Sequence, residues 1–398
     1  MNREDFFMLD KDIVYFDNGA TTFKPKYVID KMLDYYKNYT ANIHRGDYTN
    51  SLKVDKIYED TRRKVKNFIN AKDEKEIIFT KGTTNSINMV VFGFMKYYLK
   101  EGDEVLITRS EHASNFLPWI ELSKEIGIKV KFIELDSNLE VTISNLEKAI
   151  TPKTKVISLA HITNVVGDVR NVEEIGKICK DKGIIFVVDA AQSIGHIKTD
   201  VEKYNIDFLA FSAHKMLGPT GIGVLYGRYD LLEKIKPLEV GGGMNVSFDS
   251  LGNTEYKELP SRLEAGTPNI SGVIGLGAAL DYINNIGLDK IHSHEMALKR
   301  YALEKLKKIE GIEIYNSDSK SGIITFNLVD VFPQDTAIFL DHYNICVRAG
   351  NHCTKTLKEE LGIKNTCRIS FYLYNTTEEV DKLIEALNNK DKIYEIII

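Results

Sequence analysis

From about residue 60 to residue 230 the chain alternates short apolar runs with longer amphipathic stretches. The apolar runs are EIIFT (76–80), DEVLIT (103–108), KVKFIEL (129–135), KVISLAH (155–161), GIIFVVDA (183–190) and DFLAFSAH (207–214). Between them lie helix-like segments such as NSINMVVFGFMKYYL (85–99), PWIELSKEIG (118–127) and NVEEIGKICKDKG (171–183). Continuous apolar strands separated by helices predict an α/β fold, a mostly parallel sheet covered on both faces. In that architecture ligands sit beyond the carboxyl ends of the strands. The residues that follow each apolar run are therefore the ones to inspect.

A chain of 398 residues is long enough for more than one lobe. The character changes near residue 284, where charged helical patterns such as GLDKIHSHEMALKRYALEKLKKIEG (287–311) begin. Strand-like GIITFNLV (322–329) and CRISFYLY (367–374) follow, then a helical TTEEVDKLIEALNNK (376–390). We read residues 16–283 as a large domain, and residues 1–15 with 284–398 as a smaller α+β domain. The stretch from Gly241 to Asn269 reads as a long loop rich in Gly, Ser and Pro. A net charge of −5 without basic runs argues against nucleic acid as the main partner. Four cysteines, at 179, 346, 353 and 367, make no disulfide framework. No apolar stretch reaches membrane-spanning length, and Met1–Asp12 reads as neither signal nor transit peptide. The reducing cytoplasm is the expected location.

Five positions stand where chemistry is expected. Lys215 follows the run ending at Ser212 and opens a Gly-rich turn, which suits a Schiff-base lysine. A solvated loop lysine is the competing reading. Ser212 and His214 flank it as donors for a phosphate. Asp189 ends a run of five apolar residues, where an unpaired carboxylate is costly. A pyridinium nitrogen would supply its partner and keep the ring an electron sink; a helix cap is the alternative. Gln192 lies three residues on, within reach of a ring hydroxyl. Gly82, Thr83 and Thr84 follow EIIFT and open a helix, either as a phosphate cradle or as an ordinary N-cap. His112 follows another strand, placed either to lie over a ring and shuttle protons or to cap a helix. Cys353 sits in a polar loop with Gly350, Asn351 and His352, close to Arg348, which favours thiolate. Arg368 is a candidate for capturing a substrate carboxylate, with a surface ion pair as the alternative. His292 and His294, two apart on a helix, face different directions and do not suggest a metal site.

These residues, in this order, resemble the class V aminotransferase-like family of fold-type I pyridoxal-phosphate enzymes. Within it the chain is most similar to the Suf-type, group II cysteine desulfurases, which are relatives of the selenocysteine lyases. The resemblance runs through YFDNGATT, NIHRGDY, FTKGTTNSIN, EHASNFLPW, HITNVVG, VDAAQS, FSAHKMLGPTGIGVLYG, LEAGTPN, RAGNHC and RISFYLYNT. It implies a large domain built on a seven-stranded, mostly parallel sheet and pyridoxal 5'-phosphate as cofactor. By the resemblance Lys215 carries the cofactor, Asp189 pairs with its ring nitrogen, Gln192 contacts its hydroxyl and His112 stacks on it. Thr83, Thr84, Ser212 and His214 would hold the phosphate. Thr267 would reach the phosphate of a neighbouring subunit, which implies a homodimer. Asn164, Arg348 and Arg368 would bind the substrate, and Cys353 would carry the sulfur as a persulfide.

The implied reaction converts L-cysteine to L-alanine and hands sulfur to an acceptor or scaffold protein for iron–sulfur cluster assembly. Selenocysteine cleavage, or another reaction on the same scaffold, is the alternative. The chain departs from the family pattern at Asn351 and Ala113, where histidines are usual, and in the residues TKTLKEELG that follow Cys353.

Overall fold

A computed structural model describes residues 2–397. The six apolar runs fold as strands β1 (Ile77–Thr80), β2 (Glu104–Ile107), β3 (Lys129–Phe132), β4 (Thr154–Ala160), β5 (Ile185–Asp189) and β6 (Phe208–Ser212), and Gly223–Gly227 adds β7. They form one seven-stranded sheet in the order β1-β7-β6-β5-β4-β2-β3. Pairing is parallel except where β7 runs antiparallel between β1 and β6. The short turn from Ser212 to Gly223 explains that exception, because a parallel return needs a crossover of a dozen or more residues. Strands β1, β2, β5, β6 and β7 are buried at every position, as expected of strands covered on both faces. β3, at the edge, alternates exposed and half-buried residues.

Glycine lets β1 and β7 close tightly at the rim. A Cβ at Gly223 would lie 2.5 Å from the Cα of Gly82. Gly82 itself has φ of +146°, a conformation that only glycine adopts without strain.

The hairpin β8 (Asn245–Phe248) and β9 (Thr254–Tyr256) lies in the stretch read from sequence as a loop. Its Val246, Phe248 and Leu251 are exposed, so no buried face marked it as strand. The chain then builds a four-stranded antiparallel sheet from β10 (Ile312–Tyr315), β11 (Ile323–Leu328), β12 (Arg348–Gly350) and β13 (Thr366–Ser370), in the order β10-β11-β13-β12. Val14–Tyr15 pairs with Ile345–Cys346, and Val14 and Phe16 join an apolar cluster with Leu298, Phe326, Ile369 and Leu383. The start of the chain thus packs against its C-terminal part. No helix among the described residues is long and apolar enough to cross a membrane.

Candidate active site

The carboxyl ends of β1, β4, β5 and β6, with the residues after β2, open on one cavity of about 210 Å³. Thr83, Thr84, His112, Asn164, Asp189, Gln192, Ser212, His214, Lys215, Arg348 and Arg368 all line it, although they are scattered over nearly three hundred residues of chain. Parallel strands entering from one side bring those ends together.

Lys215 sits in a helical turn, Ala213–Lys215, directly after β6. The turn is pinned from the N-terminal segment: the carbonyl of His214 accepts hydrogen bonds from Thr22 N and Thr21 Oγ1. The Lys215 amine makes no hydrogen bond to the described residues. Burial pushes it down to about 8 against the pull of Asp189, with Arg368 and Arg348 adding to the burial effect. Asp189, at the end of β5, is 4% exposed. Its Oδ1 accepts from Ala191 N at 2.9 Å, and it has no ion-pair partner among the described residues. Burial raises it to about 6. An amine held partly neutral and a buried acid lacking a cation are the two unmet demands of the cavity.

At another wall the helix Thr83–Val90 points its N-terminus inward with no side-chain cap. Ser212 Oγ accepts from Thr83 N and meets Thr83 Oγ1, both at 2.8 Å, which ties β1 and β6 into one cup. Thr84 and Ser114 exchange a hydroxyl hydrogen bond of 2.7 Å. Hydroxyls around an uncapped helix N-terminus favour an anion. Burial, then Lys215, holds His214 down at about 4, so it faces that cup neutral.

His112 caps the helix Ala113–Ile126, and Ser114 N donates to its Nδ1 at 3.1 Å. Nδ1 therefore carries no proton, and the neutral ring keeps its hydrogen on Nε2. Burial, with Lys215 and Arg348 nearby, lowers its pKa to about 4. The helix cap is thus observed, and the same ring lines the cavity. Gln192 donates through Nε2 to Gly19 O at 2.7 Å, which leaves its amide oxygen as an acceptor.

Arg368 is no surface residue. It is 1% exposed, and its Nη1 donates to Asn164 O at 2.7 Å. Its Nη2 donates to Asp17 Oδ1 at 3.0 Å, while Nε is buried without a partner among the described residues. Arg348 lines the same cavity and forms no ion pair among the described residues.

Cys353 is exposed and lies just outside the residues that line the cavity. Its neighbour His352 does line it. Both have left-handed backbones, with φ of +54° and +58°, a conformation that costs about 1–2 kcal/mol for a non-glycine residue. Hydrogen bonds hold the loop in that shape. Asn351 Oδ1 accepts from Cys353 N at 3.1 Å, and Ala113 N donates to Cys353 O at 2.8 Å. Asn164 Nδ2 donates to His352 O at 2.7 Å, and Asn164 Oδ1 accepts from Thr354 Oγ1 at 3.0 Å. Of the two departures from the family pattern, Asn351 thus holds the cysteine through its own side chain, whereas Ala113 does so only through its main-chain N–H. His352 Nε2 donates to Thr366 O at 3.0 Å.

The structure does not bring Thr267 into this cavity. It lines a second one of about 360 Å³, across the Thr83 helix, with Lys81, Asn85 and Asn269. Sequence reasoning gave no role to Asp17, Gly19, Ser114 or His352. Asp17 and Gly19 lay within the quoted YFDNGATT, but their partner Arg368 is some 350 residues away.

The class-V aminotransferase family model matches residues 14–383, and the chain belongs to that family. Its curated relatives narrow the class. A probable cysteine desulfurase of Halalkalibacterium halodurans is 45% identical over 98% of this chain and 97% of its own length. One from Staphylococcus epidermidis is 44% identical over 97% of this chain and 94% of its own. Among solved structures, the apo cysteine desulfurase of Thermococcus onnurineus superimposes with a TM-score of 0.93 at 41% identity, covering 97% of this chain and 96% of that one. A cysteine desulfurase of Escherichia coli, solved as its S-sulfonic acid, gives 0.92 at 35% identity, covering 100% and 98%.

Proposed function

We propose that this chain is a pyridoxal-phosphate-dependent cysteine desulfurase that takes sulfur from L-cysteine onto Cys353 and releases L-alanine. The observation that carries the reading is the shared cavity of Lys215 and Asp189, which among the described residues are an amine without a hydrogen bond and a buried acid without an ion-pair partner. Pyridoxal phosphate answers both demands with its aldehyde and its ring nitrogen. Gln192 would meet the ring hydroxyl, His112 would lie on the ring, and Thr83, Thr84, Ser212 and His214 would hold the phosphate. When bound, the group supplies an electron sink next to the substrate's amino carbon.

The protein's own residues do the rest. Arg368, with Arg348 and Asn164, orients the substrate through its carboxylate. Lys215, with its amine lowered toward neutrality, would take the proton from Cα. Cys353 as thiolate attacks the substrate sulfur. The S–S bond forms as the Cβ–S bond breaks, and the electron pair returns to carbon. Two protons then return to the carbon skeleton, one to Cβ and one to Cα; Lys215 holds the first that left Cα, the substrate thiol supplies the second, and Lys215 and His112 are placed to deliver them before alanine leaves.

The exposure of Cys353 suits the next step, because a persulfide on an open loop can be reached by an acceptor protein. Supply of sulfur for iron–sulfur cluster assembly in the cytoplasm is the role this reading implies. Thr267, outside the main cavity, is assigned to the phosphate of a second copy in a homodimer. L-selenocysteine would enter by the same route and depend less on Cys353, since selenide leaves more readily.

Incubation with L-cysteine tests the reading. Alanine should form, and the peptide carrying Cys353 should gain one sulfur before any reductant is added. Alanine formation with the extra sulfur on Cys179, Cys346 or Cys367 instead would overturn the assignment of the thiol.

A further inference from the structure

Arg368 arrives at the site already paired. Phe16 O accepts from Ser370 N at 2.7 Å, and Asp17 bridges to Ser370 alongside β13. The segment carrying the acid is therefore laced to the strand that carries Arg368. Gly19 lies flat on the guanidinium, where a Cβ would come within 3.0 Å of Cζ. That pairing sets the Asp17 backbone beside the arginine. Among the described residues Nη1 serves Asn164 O and Nη2 serves Asp17, each with one hydrogen to spare, while Nε is buried without a partner.

We propose that Asp17 is a built-in competitor for the substrate carboxylate, a positioning residue whose charge limits how tightly Arg368 holds any amino acid. The inference rests on the desulfurase reading above. A substrate carboxylate drawn to the guanidinium from the cavity shares it with Asp17, and two like charges on one guanidinium repel. Burial already raises the Asp17 carboxyl despite Arg368 beside it, which marks the acid as incompletely compensated.

The advantage is kinetic. L-Cysteine and L-alanine carry the same carboxylate, so whatever Arg368 gives to one it gives to the other. Binding shared by substrate and product adds nothing to turnover at saturation and delays product release.

The test uses the holoenzyme and its Asp17→Asn, Asp17→Ser and Asp17→Glu variants. L-Alanine affinity is measured by calorimetry, and folding is checked by thermal unfolding. Both neutral variants should bind alanine about tenfold tighter, with KM for cysteine and kcat falling together. Asp17→Glu should return affinity to within about twofold of the parent. A residue that merely held Arg368 in place would do the opposite, because its loss would weaken alanine binding. Folded neutral variants with unchanged or weaker alanine affinity, beside a parent that turns over cysteine, overturn this proposal alone. A parent that neither binds alanine nor consumes cysteine overturns the desulfurase reading with it.

Discussion

The strand-end rim and the cysteine loop solve opposite problems. At the rim, Asp189 and Ser212 end strands that are buried along their whole length, and Lys215 follows one of them within three residues. Nothing there can shift without disturbing the sheet. The cysteine loop has two consecutive left-handed residues, an exposed thiol, and a shape maintained by hydrogen bonds from Asn351, Ala113 and Asn164. The first arrangement suits a group that must stay in register through a proton transfer. The second suits a group that must meet the substrate and then a partner. Rigidity is placed where the electron sink is needed, and releasable contacts where sulfur is carried.

The largest expected effect comes from breaking each region at its reactive atom. Lys215→Ala should lower cysteine turnover by about 10³-fold or more, since it removes both the anchor and the proton carrier. Its cofactor should wash out on gel filtration. Cys353→Ser should stop sulfur transfer to a comparable degree, yet keep its cofactor and its unfolding midpoint, because the thiol is exposed and outside the cavity. If both variants lost the cofactor, the two regions would be one unit and the contrast would fail. Turnover of L-selenocysteine should survive Cys353→Ser better than turnover of L-cysteine.

A middle-sized effect concerns the rim alone. Capture of an aldehyde needs neutral amine. A lysine at about 8 is roughly 10% neutral at pH 7, against well under 0.1% for an ordinary lysine. The rate at which apoprotein takes up pyridoxal phosphate should therefore rise about tenfold per pH unit below 8 and level off above it. Asp189 holds the amine up, so Asp189→Asn should move the midpoint to lower pH. A midpoint near that of free lysine would mean that burial does not tune Lys215. Stability depends on pH through two histidines. His112 and His214, held near 4, refuse protons that the unfolded chain accepts near 6.5. Their contribution is present above about 6.5 and is lost as pH falls toward 4.

The same contrast explains what the sequence made legible. The buried strands of the large sheet announced themselves because burial on both faces demands a largely apolar run, and candidate residues stand just past the ends of those runs. Lys215, Asp189, Thr84 and His112 were singled out this way, and all four line one cavity. The hairpin of β8 and β9 was read as a loop because its apolar side chains face solvent. Asp17 went unassigned because its role exists only once β13 lies beside it. The shape of the cysteine loop was hidden for a like reason. Asn164 reaches the loop from about 190 residues away, and left-handed φ at His352 and Cys353 leaves no mark in residue type. Local rules report on chain segments that satisfy their own demands. They are silent where the demand is met from across the fold.

The smallest effect isolates the strain itself. A non-glycine residue at φ of +58° sits about 1 kcal/mol or more above glycine in the same shape. Glycine at Cys353 removes that cost and keeps the backbone bonds to Asn351 and Ala113, while adding freedom to the unfolded chain. Cys353→Gly should therefore be more stable than Cys353→Ala by about 0.5–1 kcal/mol, read from urea midpoints at constant slope. Alanine retains the strain without the thiol and controls for loss of the sulfur atom. Equal midpoints would mean that the loop relaxes out of the left-handed region in solution. In that case the hydrogen bonds from Asn164 and Asn351 would not set its shape, and the contrast with the rim would reduce to one of exposure.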